Sequence, residues 1–175
     1  TVVASVASAV VSRSLLGNEP LFAVPTYELV HPSELLAYAL LGVVGGIVSL
    51  GFCKGLLAAR RYFLHLPAKT RPFQPAIGVV VICAILIVVP EVMGVGDEYV
   101  GQALNGGMVF RTLLLLGGVK LVATIVSYSS GNAGGIFAPS LYIGAMVGGV
   151  VGMLVNQFAP FPTGAVGAYA LVGMG

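Results

Sequence analysis

Long apolar runs alternate with short polar or charged connections along the chain, a pattern typical of a helical protein. Seven helices are predicted, near residues 1–15, 33–63, 73–89, 97–105, 109–128, 136–157 and from 165 onward. The run between Pro72 and Pro90 has no charge and is rich in Val and Ile. Its periodicity alone fits a buried strand as well as a buried helix, so the surroundings of the run must decide.

Charged residues are scarce, which predicts that these helices are surrounded by lipid. Only 14 of the 175 residues are charged, 8% against about 25% in a soluble domain, whereas 58% are hydrophobic. This composition predicts an integral, multi-pass membrane protein. The apolar content excludes disorder, the two cysteines exclude a disulfide scaffold, and a net charge of +2 excludes nucleic-acid binding. Because an unpaired strand cannot persist in lipid, the expected fold is an all-α polytopic transmembrane helix bundle.

The charges predict how the helices are oriented across the membrane. Five basic residues surround the connection 60–72: Lys54, Arg60, Arg61, Lys69 and Arg71. Acidic residues precede and follow them: Glu19, Glu28, Glu34, Glu91, Asp97 and Glu98. The positive-inside rule therefore predicts that 60–72 is cytoplasmic and that 17–32 and 90–98 face outward. The helix at 33–63 is about 46 Å long, more than a hydrocarbon core of about 30 Å, so it is expected to tilt or to project beyond the membrane.

Small residues recur at four-residue intervals on two of the predicted helices. Gly144, Gly148 and Gly152 share one helix face, and Gly42 and Gly46 share another. Small residues at this spacing allow helix backbones to approach closely in lipid, so both sets are predicted to mark helix contacts. Cys53 and Cys83 lie in apolar segments and are expected to be small buried residues. His31 and His65 have no partner at metal-ligand spacing, and no cofactor is expected.

The segment from Ser127 to Ser140 contains the candidate chemistry. It interrupts a block, residues 121–175, that has no charged residue and no histidine. Ile136, Phe137 and Ala138 are expected to begin a helix, with Pro139 in its first turn. Free N–H groups and a partial positive charge at such a start favour an anion, and the absence of lysine and arginine from the block would allow that anion to leave. An anion-conducting site and a purely structural helix break both fit these residues.

Two stretches resemble the CLC family of chloride channels and transporters. Gly134-Gly-Ile-Phe-Ala-Pro139, followed by the stretch Ser140–Gly149, looks like an anion-filter motif of that family. Pro90–Gly96, followed by Ala103–Gly106, resembles the family's connection just upstream. The resemblance covers essentially the whole chain and implies an inverted-repeat fold with tilted and discontinuous helices. Residues 1–16 would be the last helix of the first inverted half, and 33–175 most of the second.

The resemblance also implies a function and a site. The function is transmembrane chloride transport, not enzymatic catalysis, by a homodimer with one pore in each subunit. Chloride and similar anions would be substrates rather than cofactors, and the lipid bilayer would be the surrounding partner. Backbone amides of Ile136 and Phe137 would bind the ion. The residues expected to form the anion site are Gly135, Ile136, Phe137, Ala138 and Pro139.

Other parts of the family's machinery are absent from these 175 residues. Neither the Gly-Ser-Gly-Ile-Pro motif nor the motif with the gating glutamate occurs, and no acidic residue here is expected to replace that glutamate or the internal proton-transfer glutamate. Because the chain begins without Met and stops in an apolar stretch, we expect an internal fragment. This fragment is expected to be inactive alone, because one half of the filter and the gate are missing from it. Passive conduction and proton-coupled exchange both remain open. The alternative is an unrelated multi-helix membrane protein whose glycines serve packing only.

Overall fold

The structure, a computed structural model, describes residues 2–17, 27, 31–132, 134–159 and 163–175. Its α-helices are α1 (Val2–Leu16), α2 (Glu34–His65), α3 (Gln74–Val88), α4 (Asp97–Leu104), α5 (Phe110–Ser129), α6 (Phe137–Phe158) and α7 (Val166–Met174). All seven predicted helices are confirmed, with ends within two residues of the prediction. Two short 3₁₀ helices, Ala68–Phe73 and Pro90–Val92, were not predicted. The predicted outward residues Glu19 and Glu28 and the interruption predicted at 160–162 lie outside the described residues.

Four segments within the described residues are long and apolar enough to cross a membrane. They are Glu34–His65, Thr70–Val88, Phe110–Ser129 and Phe137–Phe158. At 1.5 Å per residue, the 32 residues of α2 extend over about 48 Å, which again exceeds the hydrocarbon core. The run that was ambiguous between strand and helix is α3, with Pro75 in its first turn, where the missing N–H leaves no helical hydrogen bond unmade.

Helix α6 lies at the centre of the bundle and contacts α2, α4, α5 and α7. The main core combines buried residues of α4, α5 and α6, among them Leu104, Leu113, Leu116, Tyr142 and Met146. By contrast, every described side chain of α1 is exposed. The bundle therefore holds α6, which follows the candidate segment, against several neighbours.

The predicted glycine contact on α6 is confirmed, and its partner is α7. A Cβ at Gly144 would meet the carbonyl oxygen of Gly173, and one at Gly148 would meet that of Tyr169. A Cβ at Gly152 would lie 2.8 Å from Cβ of Tyr169. The two backbones are therefore close enough that only glycine fits along this face of α6.

Two sequence-based expectations about burial are wrong in the part of the chain that the structure describes. A Cβ at Gly42 or Gly46 would meet no atom within 4 Å, and both glycines line an open cleft of about 470 Å³ between α2, α6 and α7. Cys53 and Cys83 are exposed. The physical reason is shared: lipid is as apolar as a protein core, so hydrophobicity does not distinguish a lipid-facing side chain from a packed one.

Candidate anion-binding site

The chain between α5 and α6 forms the predicted helix break. Helix α5 ends at Ser129, and Gly131 has a positive φ of +90°, a left-handed conformation that glycine adopts without strain. Helix α6 begins at Phe137, one residue later than predicted, with Ile136 as its N-cap. The first backbone hydrogen bond of the new helix runs from the Ser140 N–H to the Ile136 carbonyl, 3.0 Å away.

The start of α6 therefore presents unpaired backbone donors. By helix geometry the N–H groups of Phe137 and Ala138 have no acceptor within α6. Pro139 has no N–H, so it adds no unsatisfied donor in this turn. The aligned peptide dipoles add about half a positive charge at this end of the helix. A negatively charged ligand is the natural complement of such a helix start.

A cavity of about 190 Å³ lies beside the start of α6. The loop and the first turn of α6 supply Gly134, Gly135, Ile136 and Pro139 to its wall. The remaining lining residues are Ile82, Val92, Gly94, Lys120, Ala123, Thr124, Ser127 and Tyr128. Of the five predicted site residues, the structure thus brings Gly135, Ile136 and Pro139 to the cavity, whereas Phe137 and Ala138 do not line it.

The loop glycines leave room for a ligand next to the backbone. A Cβ at Gly134 or Gly135 would meet no atom within 4 Å, and neither residue has a positive φ. The two glycines therefore leave space beside the backbone, and neither is needed for an unusual backbone conformation. Phe137 is 73% exposed, so its side chain points away from the described bundle while its amide stays at the helix start.

Lys120 corrects the expectation that no cation lies near this segment. Lys120 immediately precedes the charge-free block 121–175 in the sequence, and in the structure it lines the same cavity as the loop before α6. Its side chain is only 4% exposed, and its Nζ donates to the carbonyl oxygens of Val92 (2.8 Å) and Gly94 (2.5 Å). The ammonium also lies 5.0 Å from the ring centroid of Tyr142. The positive charge is therefore shared with two carbonyls and an aromatic face.

A pattern in α5 could have revealed this wall of the cavity. Lys120, Thr124 and Ser127 follow one another at intervals of four and three residues, and Tyr128 completes the same helix face. A polar stripe on an otherwise apolar membrane helix indicates a face turned toward a polar cavity or a protein interior. Thr124 uses its hydroxyl on the carbonyl of Lys120, 2.8 Å away, so its side chain does not add a free donor.

The two tyrosines on either side of the helix break, Tyr128 and Tyr142, differ in their surroundings. Tyr128 lines the cavity. Tyr142 is fully buried in the main core, and its hydroxyl has no hydrogen-bond partner among the described residues. Its ring fills the space beside Gly96, where a Cβ would overlap it. Tyr142 therefore supports the lysine rather than contacting the cavity.

Acidic residues within the described part of the chain do not line the cavity. Glu34 is buried at the start of α2, where one carboxylate oxygen accepts hydrogen bonds from the Gly164 N–H (2.8 Å) and the Tyr38 hydroxyl (3.1 Å). Glu91, Asp97 and Glu98 belong to the 3₁₀ turn after α3 and to the start of α4. Nor do three or more His, Cys, Asp or Glu side chains group together anywhere in the described ranges.

The chain is similar to known proteins along its whole length. A family model described as "Voltage gated chloride channel" matches residues 1–175. Chloride channel protein CLC-f of Arabidopsis thaliana is 34% identical over 99% of the chain, which spans 24% of that protein. The H(+)/Cl(-) exchange transporter ClcA of Vibrio campbellii is 27% identical over 99% of the chain, which spans 38% of it.

The fold has a counterpart among solved structures. The crystal structure of a slow cyanobacterial Cl-/H+ antiporter superposes with a TM-score of 0.78 at 24% identity. The match covers 94% of this chain and 39% of the antiporter. At this level of identity the match supports the all-helical fold.

Proposed function

Because this chain belongs to the voltage-gated chloride channel family, we propose that it forms part of a pathway that carries chloride through a membrane. The chain is an integral, multi-pass membrane segment, and it spans well under half the length of the relatives it matches. In the proposal, residues 1–16 end one inverted half and 33–175 form most of the other. The complete protein is a homodimer with one pathway in each subunit.

The observation that supports this function most directly is the position of the α6 start. Unpaired amides of a helix N-terminus lie at a break within charge-poor apolar sequence and beside a cavity of about 190 Å³. In the proposed site the anion lies against Gly135, Ile136 and Pro139, which line the cavity, and the first turn of α6 completes the site with Phe137 and Ala138. Ile136 and Phe137 donate their backbone N–H groups. Non-helical backbone at membrane depth is tolerated where it lines such a cavity.

The arrangement suits an ion that must bind and then leave. Backbone dipoles compensate part of the hydration that chloride loses, but no full positive charge is free to hold it. Lys120 lies in the cavity wall, but its ammonium group already donates hydrogen bonds to the carbonyl oxygens of Val92 and Gly94. The cavity is therefore biased toward anions while its one cation remains engaged elsewhere.

Passive conduction and proton-coupled exchange both remain compatible with this chain. The described residues bring no carboxylate to the cavity. A proton acceptor, if the complete protein uses one, is therefore proposed to come from outside the described residues.

The sharpest test removes one amide and keeps its side chain. Phenyllactic acid at position 137 of the full-length protein replaces the Phe137 N–H by an ester oxygen. Phe110 offers a matched control, because it is also a phenylalanine at the first position of a helix, α5. Phe137→Pro is a less clean variant, since Ile136 has φ −97° and ψ −13°, a conformation disfavoured before proline.

The expected result is a weaker chloride site only for the ester at 137. Loss of a hydrogen bond to a charged partner costs about 1.5–3 kcal/mol, which corresponds to about a 10- to 150-fold loss of affinity. Calorimetry measures chloride binding, and chloride efflux from liposomes measures transport. Unchanged binding and flux in a correctly folded 137 ester would contradict the proposed site and favour a helix break that serves packing only.

A further inference from the structure

The end of α2 and the corner that leads into α3 carry positive charge without local compensation. Residues 35–90 include five lysines and arginines and no aspartate or glutamate. Lys54, Arg60, Arg61 and Arg71 are exposed. Within the described residues none of these four forms an ion pair. The charge is therefore available to an anionic partner.

The length of α2, together with the outward position that the positive-inside rule predicts for its start, puts this charge at the opposite membrane surface. Lys54 lies 20 residues beyond Glu34, which is about 30 Å along the helix axis and equals the thickness of the hydrocarbon core. Arg60 and Arg61 lie about 9 and 10 Å farther along α2. Headgroup layers add only about 5–8 Å on each side, so a tilted α2 holds the two arginines at the level of the lipid phosphates.

Exposed aromatic side chains mark the same level. Tyr62 is 70% exposed, and Phe73, at the other side of the corner, is 64% exposed. The ring of Tyr62 packs edge-on against Phe63, with 6.2 Å between centroids. Tyrosine is enriched at membrane–water interfaces, where its ring contacts the lipid and its hydroxyl contacts water. The corner thus offers apolar surface directly beside its guanidinium groups.

Hydrogen bonds hold the corner in a defined shape. The Gln74 side chain donates from Nε2 to the Phe63 carbonyl, 2.6 Å away, and so joins the start of α3 to the last turn of α2. Thr70 donates to the Pro67 carbonyl twice, from its N–H (2.9 Å) and its hydroxyl (2.7 Å). Arg71 lies between these fixed points, on the 3₁₀ helix. Its backbone is therefore ordered before any ligand arrives.

We propose that this corner binds the phosphate headgroup of an anionic phospholipid. Arg60, Arg61 and Arg71 supply guanidinium groups, which bind phosphate oxygens in pairs, and Tyr62 and Phe73 contact the adjoining glycerol and acyl region. A free phosphate would use only the charge, whereas a lipid uses the charge and the apolar surface together. This site is separate from the cavity at the start of α6.

A lipid titration of the full-length protein in detergent tests the proposal. The probes are short-chain phosphatidylglycerol, phosphatidylcholine with the same chains, and glycerol phosphate without chains. The triple variant carries Arg60→Gln, Arg61→Gln and Arg71→Gln. A double variant with Arg60→Gln and Arg61→Gln is matched in charge by a control with Arg13→Gln and Arg111→Gln, two exposed arginines outside the corner. Each charge near an anionic surface contributes about a fivefold gain in affinity, so the triple variant is expected to bind phosphatidylglycerol on the order of 100-fold more weakly.

Each outcome of this titration either supports or overturns the proposed lipid site. The control and a variant with lysine at all three positions are expected to retain most of the binding, and sodium gluconate is expected to weaken it by screening. A loss in the control equal to that of the double variant would show that only net charge matters and would overturn the site. If glycerol phosphate bound as tightly as phosphatidylglycerol, the ligand of the corner would be a soluble anion and not a lipid, and the proposal would be overturned. A wild-type protein without preference for phosphatidylglycerol would also overturn it and leave an acidic protein partner as the occupant.

Discussion

Replacing Gly148 by alanine is expected to force α6 and α7 apart. The new methyl group would overlap the carbonyl oxygen of Tyr169 and would lie 2.8 Å from both Cα of Ala170 and the carbonyl carbon of Tyr169. Carbon atoms pack best at about 3.5–4.0 Å, so at least about 0.7 Å of movement is required. The obstacle is backbone, which no rotamer change can relieve.

The size of the effect follows from two opposing contributions. Overpacking of a tight contact costs about 1–3 kcal/mol. Alanine in place of glycine inside a helix returns about 1 kcal/mol through propensity. Gly118 of α5 isolates the second contribution, because a Cβ there would meet no atom within 4 Å. Gly148→Ala is therefore expected to be about 1–3 kcal/mol less stable than Gly118→Ala.

The assay is equilibrium unfolding of the full-length protein in mixed micelles, followed by circular dichroism, with both variants and the wild type measured together. Gly118→Ala is expected to match or exceed the wild type, and Gly148→Ala to fall below Gly118→Ala. Equal stability of the two variants would refute the reasoning, since it would mean that α6 and α7 do not meet at Gly148.

Three further predictions concern single side chains. Gly135→Ala is expected to preserve stability, because its methyl group would enter open space, but to weaken chloride binding by filling part of the cavity; unfolding and calorimetry measure the two effects. Lys120→Met is expected to cost about 1–3 kcal/mol of unfolding free energy by leaving the Val92 carbonyl without its donor, and Lys120→Arg less; equal stability of the two would contradict this. Glu34→Ala is expected to cost about 1–3 kcal/mol because the Gly164 N–H loses its acceptor, whereas Glu34→Gln costs less because its amide oxygen still accepts.

Most of the fold could be predicted from the chain because its helices are separated by residues that end helices. Gly131 lies at a helix boundary, and so do the prolines between residues 67 and 75 and Pro90. The observed helix ends fall within two residues of the predicted ones. Burial was less predictable. Cys53 and Gly42 lie on apolar helices, and an apolar face turned to lipid has the same composition as one turned to another helix.

The candidate site was only partly predictable for a related reason. A helix break in a charge-free block can be located from sequence, and α6 indeed begins at Phe137. The opposite wall comes from α5, where Lys120 precedes Ile136 by 16 residues yet lines the same cavity. Distance along the chain concealed this neighbour, and only the return of the chain after Gly131 brings the two together.

The central claim is that an anion binds at the start of α6, and a halide map tests it most directly. The full-length protein crystallised in bromide is expected to show an anomalous peak in the cavity beside Gly135, within hydrogen-bonding reach of the Ile136 and Phe137 amide nitrogens. Chloride added to the mother liquor should compete for the site and lower that peak progressively as its concentration rises. Bromide bound elsewhere in the membrane region, with no peak at these amides, would contradict the account.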